Sequence, residues 1–164
     1  METDYYISFT KVALEHGWMG NMSPYPIEYD GKIWRTCEAL FQALRFDDEE
    51  IREIIREQKS PMAAKMKAKK HRESMKIKQM STEDISNMKK CVCLKLEQHP
   101  ILQDKLIETK ACEIYENVST RPRGSGMFWG AAFVNGKWCG NNTLGKILME
   151  LREELITQKQ GTTQ

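Results

Sequence analysis

Apolar and polar residues alternate in two short stretches of the chain and recur at helical spacing through most of the rest. Residues 25–34, YPIEYDGKIW, alternate around Asp30-Gly31, and residues 132–140, AFVNGKWCG, around Asn135-Gly136. Each pair is a hairpin signal, because a type I′ turn needs two central residues at positive φ. YYISFT (5–10) is rich in β-formers and CEIYENVS (112–119) is also predicted to be extended. The helical pattern begins at TCEALFQALRF (36–46), with Thr36 as N-cap. DDEEIREIIREQ (47–58) is acidic at its start, as a helix dipole prefers. Ser60-Pro61 opens a third helix with proline at its first position. Residues 80–99 place Ile85, Met88, Val92 and Leu96 on one helical face, with Ser81 or Thr82 as cap. Pro100 restarts the chain as PILQDKLIET. The last amphipathic helix, within 141–155, carries Leu144, Ile147, Leu148, Leu151 and Leu155. Residues 120–130, TRPRGSGMFWG, are predicted to be a loop. The pattern predicts an α+β fold, mostly helical, with short antiparallel strands and hairpins from both halves of the chain.

Length and composition narrow this picture. The 164 residues predict a single domain over 1–158, with 159–164 as a frayed tail. Hydrophobic content of 40% and charged content of 29% describe a soluble globular chain. The formal net charge of +2 gives no global field for nucleic acid. METDYYISFT lacks the basic-then-apolar form of a secretory leader, and no apolar run approaches the roughly 20 residues that span a bilayer. The five cysteines are therefore expected to be reduced and the protein cytoplasmic, with no membrane partner. There is no Cys-x-x-Cys, and His16, His71 and His99 are isolated, which disfavours zinc. Neither phosphate-cradling glycine motif is present. No cofactor and no metal is expected, and the oligomeric state is left open.

Five features can carry chemistry. Glu38, Gln42 and Arg45 fall at i, i+4 and i+7 and form a polar stripe on an otherwise apolar helix. For an arbitrary helix, the favoured explanation is a dipole-stabilising acid and a surface ion pair. The basic run Lys65–Lys78 can touch phosphates, but it contains no aromatic residue for base stacking and lies near an acidic DDEE, so a solvated helix face is favoured. Arg121 and Arg123 beside two glycines can wrap an anion or form an ordinary exposed turn. Trp129, followed by Gly130, can fill core or stack on a flat heterocycle. Asn142 can cap the last helix or bind a ribose hydroxyl or phosphate at its entrance.

The order of these segments is more informative than any one of them. GWMGNMSPYPIEYDGKIWRTCEALFQALRF, then SPMAAKM, FWG and GNNTLGKILMELREEL resemble the NADAR family, named for a link to NAD and ADP-ribose and including the bacterial YbiA-type N-glycosidases. The resemblance covers roughly residues 5–156. Its most specific parts are the hairpin-to-helix block around Glu38 and the closing block Asn142–Arg152. It implies that Glu38 is catalytic, stabilising an oxocarbenium ion or activating water as a ribose C1′–N bond breaks. It implies substrate contacts from Asn21, Gln42, Arg45, Arg121, Arg123, Trp129, Gly130, Asn142 and Gly145, with Arg45 serving Glu38 or a phosphate. The implied partner is a small phosphorylated ribosyl or ADP-ribosyl molecule: a ribosylamino-pyrimidine phosphate of riboflavin synthesis, or an NAD-related compound. ADP-ribosylated guanine in nucleic acid is a further implied substrate. The alternative is a module that binds ADP-ribose without turnover. Departures from the family pattern include Cys37-Glu38-Ala39 where Ser-Glu-His is usual, Arg45 where Lys is usual, Met19-Gly20-Asn21-Met22, and GSGMFWG without its acidic residue.

Overall fold

A computed structural model of the protein describes residues 6–162. Tyr5 of the first predicted strand and residues 163–164 of the tail lie outside them. In chain order the elements are β1 (Tyr6–Phe9), β2 (Ile27–Tyr29), β3 (Lys32–Trp34), α1 (Cys37–Ala43), α2 (Glu49–Arg56), α3 (Pro61–Lys70), α4 (Thr82–Gln98), α5 (Pro100–Glu108), β4 (Glu113–Glu116), α6 (Ser125–Trp129), β5 (Ala132–Val134), β6 (Lys137–Cys139) and α7 (Thr143–Thr162), with two short 3-10 turns. The fold is mixed α and β and mostly helical, as the pattern predicts. The chain forms two compact units, residues 21–98 and residues 1–20 with 99–164.

In the unit of residues 21–98, β2 and β3 form the predicted antiparallel hairpin, with Asp30 at φ 51° and Gly31 at φ 75°. Thr36 then caps α1 by accepting from the Ala39 N–H at 3.1 Å. Seven residues are too few for a stable isolated helix. α1 persists because α2, α3, α4 and β3 all pack against it, and every one of its residues is buried. That explains a helix apolar on nearly every side. Asp48 and Ser60 cap α2 and α3, and Pro61 holds the first position of α3.

In the other unit, β1 pairs with β4 in parallel, Tyr6 opposite Glu113 through Phe9 opposite Glu116. The prediction of antiparallel strands holds for the hairpins and fails for this pair. The long helical connection between the two strands allows a parallel pairing, and their composition carries no sign of orientation. β5 and β6 form the second hairpin, with Asn135 at φ 51° and Gly136 at φ 78°. The expected loop of residues 120–130 holds the five-residue α6 at its end. α7 packs on β4 and α5 and runs to Thr162, so residues 159–162 are helical rather than frayed. No helix among the described residues is long and apolar enough to cross a membrane.

Candidate active site

The polar stripe of α1 is not a surface ion pair. Glu38, Gln42 and Arg45 are only 8%, 5% and 5% exposed. Gln42 Nε2 donates to Glu38 Oε1 at 2.8 Å, and Arg45 Nη1 donates to Gln42 Oε1 at 3.2 Å. Arg45 Nε and Nη2 grip Asp84 Oδ1 and Oδ2 at 2.9 and 2.8 Å, a bidentate charge-assisted pair. The guanidinium also lies 4.5 Å from the centre of the Phe41 ring. Asp84 is fully buried, accepts from the Met80 N–H at 2.8 Å, and has its own N–H bound to the Ser81 hydroxyl oxygen at 3.2 Å. Among the described residues the hydrogen bonds of the Arg45 side chain go to Asp84 and Gln42, and it bears on Glu38 by its charge.

This chain of contacts fixes an amide. A guanidinium only donates, so Gln42 must turn its oxygen to Arg45 and its NH₂ to Glu38. Glu38 Oε1 is therefore held as an acceptor, and Oε2 has no hydrogen-bond partner among the described residues. Burial raises the Glu38 pKa above 4.5, opposed by the Gln42 hydrogen bond and the charges of Lys65 and Arg45, and aided by Asp84. A buried carboxylate with one fixed and one open oxygen, and a raised pKa, can accept a proton from water or face a developing cation.

Asn21 meets the backbone of Glu38. Its backbone carbonyl accepts the Glu38 N–H at 2.9 Å, and its side-chain Nδ2 donates to Met88 Sδ at 3.0 Å. Asn21 Oδ1 is buried with no partner. On the same face of α4 as Asp84 and Met88 stand Cys91 and Lys95. Lys95 donates to the Ser23 hydroxyl at 2.9 Å and lies 5.4 Å from the Tyr25 ring centre; burial lowers its pKa to about 8. The Cys91 thiol, beside Cys37 and fully buried, is pushed well up. The sequence reading missed Asp84 and Lys95. Their signal was positional: 84, 88, 91 and 95 recur at i, i+4, i+7 and i+11, which places two charges on the buried stripe of α4.

In the other unit, Trp129 is 8% exposed and meets the Phe128 ring edge-on, with centroids 4.9 Å apart. It supplies core area there. Arg121 and Arg123 are exposed. Asn142, at φ 52°, accepts the Lys146 N–H of α7 on its backbone carbonyl at 2.9 Å and turns its side-chain amide to β4: Oδ1 accepts from the Glu116 N–H at 3.1 Å and Nδ2 donates to the Ile114 carbonyl at 2.7 Å. It ties the start of α7 to β4. Gly145 lets that contact form, since a Cβ there would lie 2.2 Å from the Ile114 oxygen and 2.4 Å from Asn142 Nδ2. Gly130 serves β4 likewise, with the Glu116 oxygen 2.5 Å from the position of a Cβ. Gly145→Ala is expected to destabilise this unit by about 1–3 kcal/mol through overpacking. Thermal melting against wild type checks this, and an unchanged midpoint would deny the close packing its role.

The NADAR domain profile matches residues 8–156, across both units, and the chain belongs to that family. It is 37% identical over 158 residues to the N-glycosidase YbiA of Shigella boydii, covering 95% of this chain and 92% of that protein. It is 31% identical to a riboflavin biosynthesis protein of Vibrio vulnificus over 91% of this chain and 38% of that one. The solution structure of Escherichia coli YbiA, 35% identical, matches with a TM-score of 0.78 over 97% of this chain and 89% of that one. Similarity over nearly full length to proteins of this kind marks the chain as an enzyme of the glycosidase class.

Proposed function

We propose that the protein hydrolyses the C1′–N bond of a phosphorylated ribosyl or ADP-ribosyl substrate, with Glu38 as its catalytic carboxylate. The observation that carries this is the buried Glu38, held on one oxygen by an amide whose orientation Arg45 and Asp84 fix. As the bond lengthens, positive charge gathers on the ribose and electrons pass to the nitrogen. Ionised Glu38 stabilises that charge through Oε2 or takes a proton from the attacking water. The water oxygen bonds C1′, and the nitrogen leaves with a proton. The names of the relatives support N-glycosidase chemistry and a link to riboflavin synthesis, hence its N-ribosyl intermediates as one substrate class. The other class, compounds in which ADP-ribose is joined to nitrogen, including ADP-ribosylated guanine in nucleic acid, rests on the resemblance alone.

Asn21 is assigned to substrate, since its buried Oδ1 is an acceptor without a donor, suited to a ribose hydroxyl. Arg121 and Arg123 are assigned to phosphate, as exposed guanidinium forks. Gln42 and Arg45 act through Glu38, and Gly130, Asn142 and Gly145 through packing. Trp129 is assigned to the substrate's surroundings on the resemblance alone.

The test is a product assay of wild type and Glu38→Gln with an ADP-ribosylated guanine oligonucleotide and with a ribosylamino-pyrimidine phosphate. Release of free base by wild type, lost in the variant, is expected with one of them. Binding of either without base release would favour the non-catalytic module. The raised Glu38 pKa also sets the pH dependence. If the ionised form acts, kcat should fall as pH drops through a midpoint above 4.5. A rate flat from pH 7 to 4 would exclude an ionised Glu38.

A further inference from the structure

Of the basic run Lys65–Lys78, Lys65 lends its charge to Glu38, while Lys67, Lys69, Lys70 and Arg72 are not among the groups that act on it, and sequence alone favours a solvated face for the run. Residues 59–78 hold eight Lys and Arg against the single acid Glu73, a local charge of +7. The remaining seventeen cations stand against twenty-two acids, so the rest of the chain carries −5. The near-neutral total therefore hides a strongly cationic segment. The structure adds a groove to it. A cavity of about 460 Å³, within the range of small-molecule sites, is lined by Lys67, Lys69, Lys70 and Arg72 together with Gln58, Ala63 and Met66. No carboxylate lines it. None of the four cations is in an ion pair among the described residues. Met66 is 54% exposed, so the groove offers an uncovered apolar surface beside these basic residues.

We propose that this groove binds the oligophosphate end of a small molecule, two or three adjacent phosphates on a compact organic body. Three observations select that ligand. Four cations around one cavity without a counter-charge repel each other, and bound negative charge relieves this. Lys67, Lys69 and Lys70 stand in the last turn of α3 and Arg72 two residues beyond it, so the charge is clustered for adjacent phosphates instead of being spread along a strand. The groove has no aromatic ring, so a nucleic-acid strand would find no stacking platform, whereas Ala63, Met66 and the lysine stems can cover an apolar body.

The test titrates ¹⁵N-labelled protein with inorganic tripolyphosphate, a nucleoside triphosphate, sodium sulfate and a mixed-sequence single-stranded oligonucleotide, all at 150 mM salt. The expected result is saturable shifts of the α3 amides with tripolyphosphate and the nucleoside triphosphate, the latter tighter. The triple variant Lys69→Gln, Lys70→Gln, Arg72→Gln changes exposed side chains and should melt like wild type while binding the triphosphate about tenfold more weakly or worse. Absence of saturable shifts, equal response to sulfate, tighter binding of the oligonucleotide, or undiminished affinity in the folded variant would each overturn the proposal. Base release by wild type and the triple variant, measured in parallel, keeps this result separate from the fate of the Glu38 reading.

Discussion

Glu38→Gln is expected to lower single-turnover cleavage of the N-ribosyl bond by about 10²-fold or more, with substrate affinity nearly unchanged. The substitution keeps size and hydrogen bonding and removes the charge. Glu38→Asp should also be poor, because withdrawing the carboxylate by about one bond length misplaces it on the order of 1 Å. The same substitution carries an opposite expectation for stability. Folding raises the Glu38 pKa, so between the unfolded and folded values the native state holds more protons than the unfolded one. Stability then falls as pH rises through that window. Above it the wild type bears a desolvated carboxylate that glutamine lacks. Glu38→Gln should therefore melt at or above wild type at pH 7, with the difference vanishing below about pH 4. A variant that loses both activity and stability at pH 7 would make Glu38 structural; wild-type rates would remove it from catalysis.

Asp84→Asn should be the most damaging single change to the unit of residues 21–98. It leaves the Arg45 guanidinium buried with its main partner neutralised, and breaking one half of a buried ion pair costs about 3–5 kcal/mol. Melting should fall on the order of 10 °C. Replacing both partners with methionine removes the stranded charge and should recover most of that loss. The double variant still frees the Gln42 amide, whose orientation depends on Arg45. Recovered stability with depressed kcat would therefore separate positioning from folding, whereas full activity in the stable double variant would show that Glu38 needs no such support.

Much of this architecture was legible where local chemistry decides it. The two hairpins follow from Asp30-Gly31 and Asn135-Gly136, which supply the positive φ their turns require. The starts of α1 and α3 follow from Thr36 and Ser60, whose oxygens accept the orphan N–H groups. The pairing of β1 with β4 was not legible, because about a hundred residues separate the partners. The site was half legible. The stripe of Glu38, Gln42 and Arg45 is a local spacing, and their hydrogen bonds confirm that they share a face. Asp84 lies thirty-nine residues beyond Arg45 and joins it only through the packing of α4 on α1. Asn142 misleads for the same reason. An Asn before a helix suggests a cap, and only the tertiary fold shows its amide spent on the backbone of β4.

The central claim is that water replaces nitrogen at ribose C1′ under the control of Glu38. Its most direct measurement is wild-type turnover of the ADP-ribosylated guanine oligonucleotide and the ribosylamino-pyrimidine phosphate in ¹⁸O-water, with mass spectrometry of the ribosyl product before exchange. One ¹⁸O at the C1′ hydroxyl and an unlabelled free base are expected from at least one substrate, and neither with Glu38→Gln. Label in a phosphate group, or intact substrate after prolonged incubation with folded wild type, would contradict it.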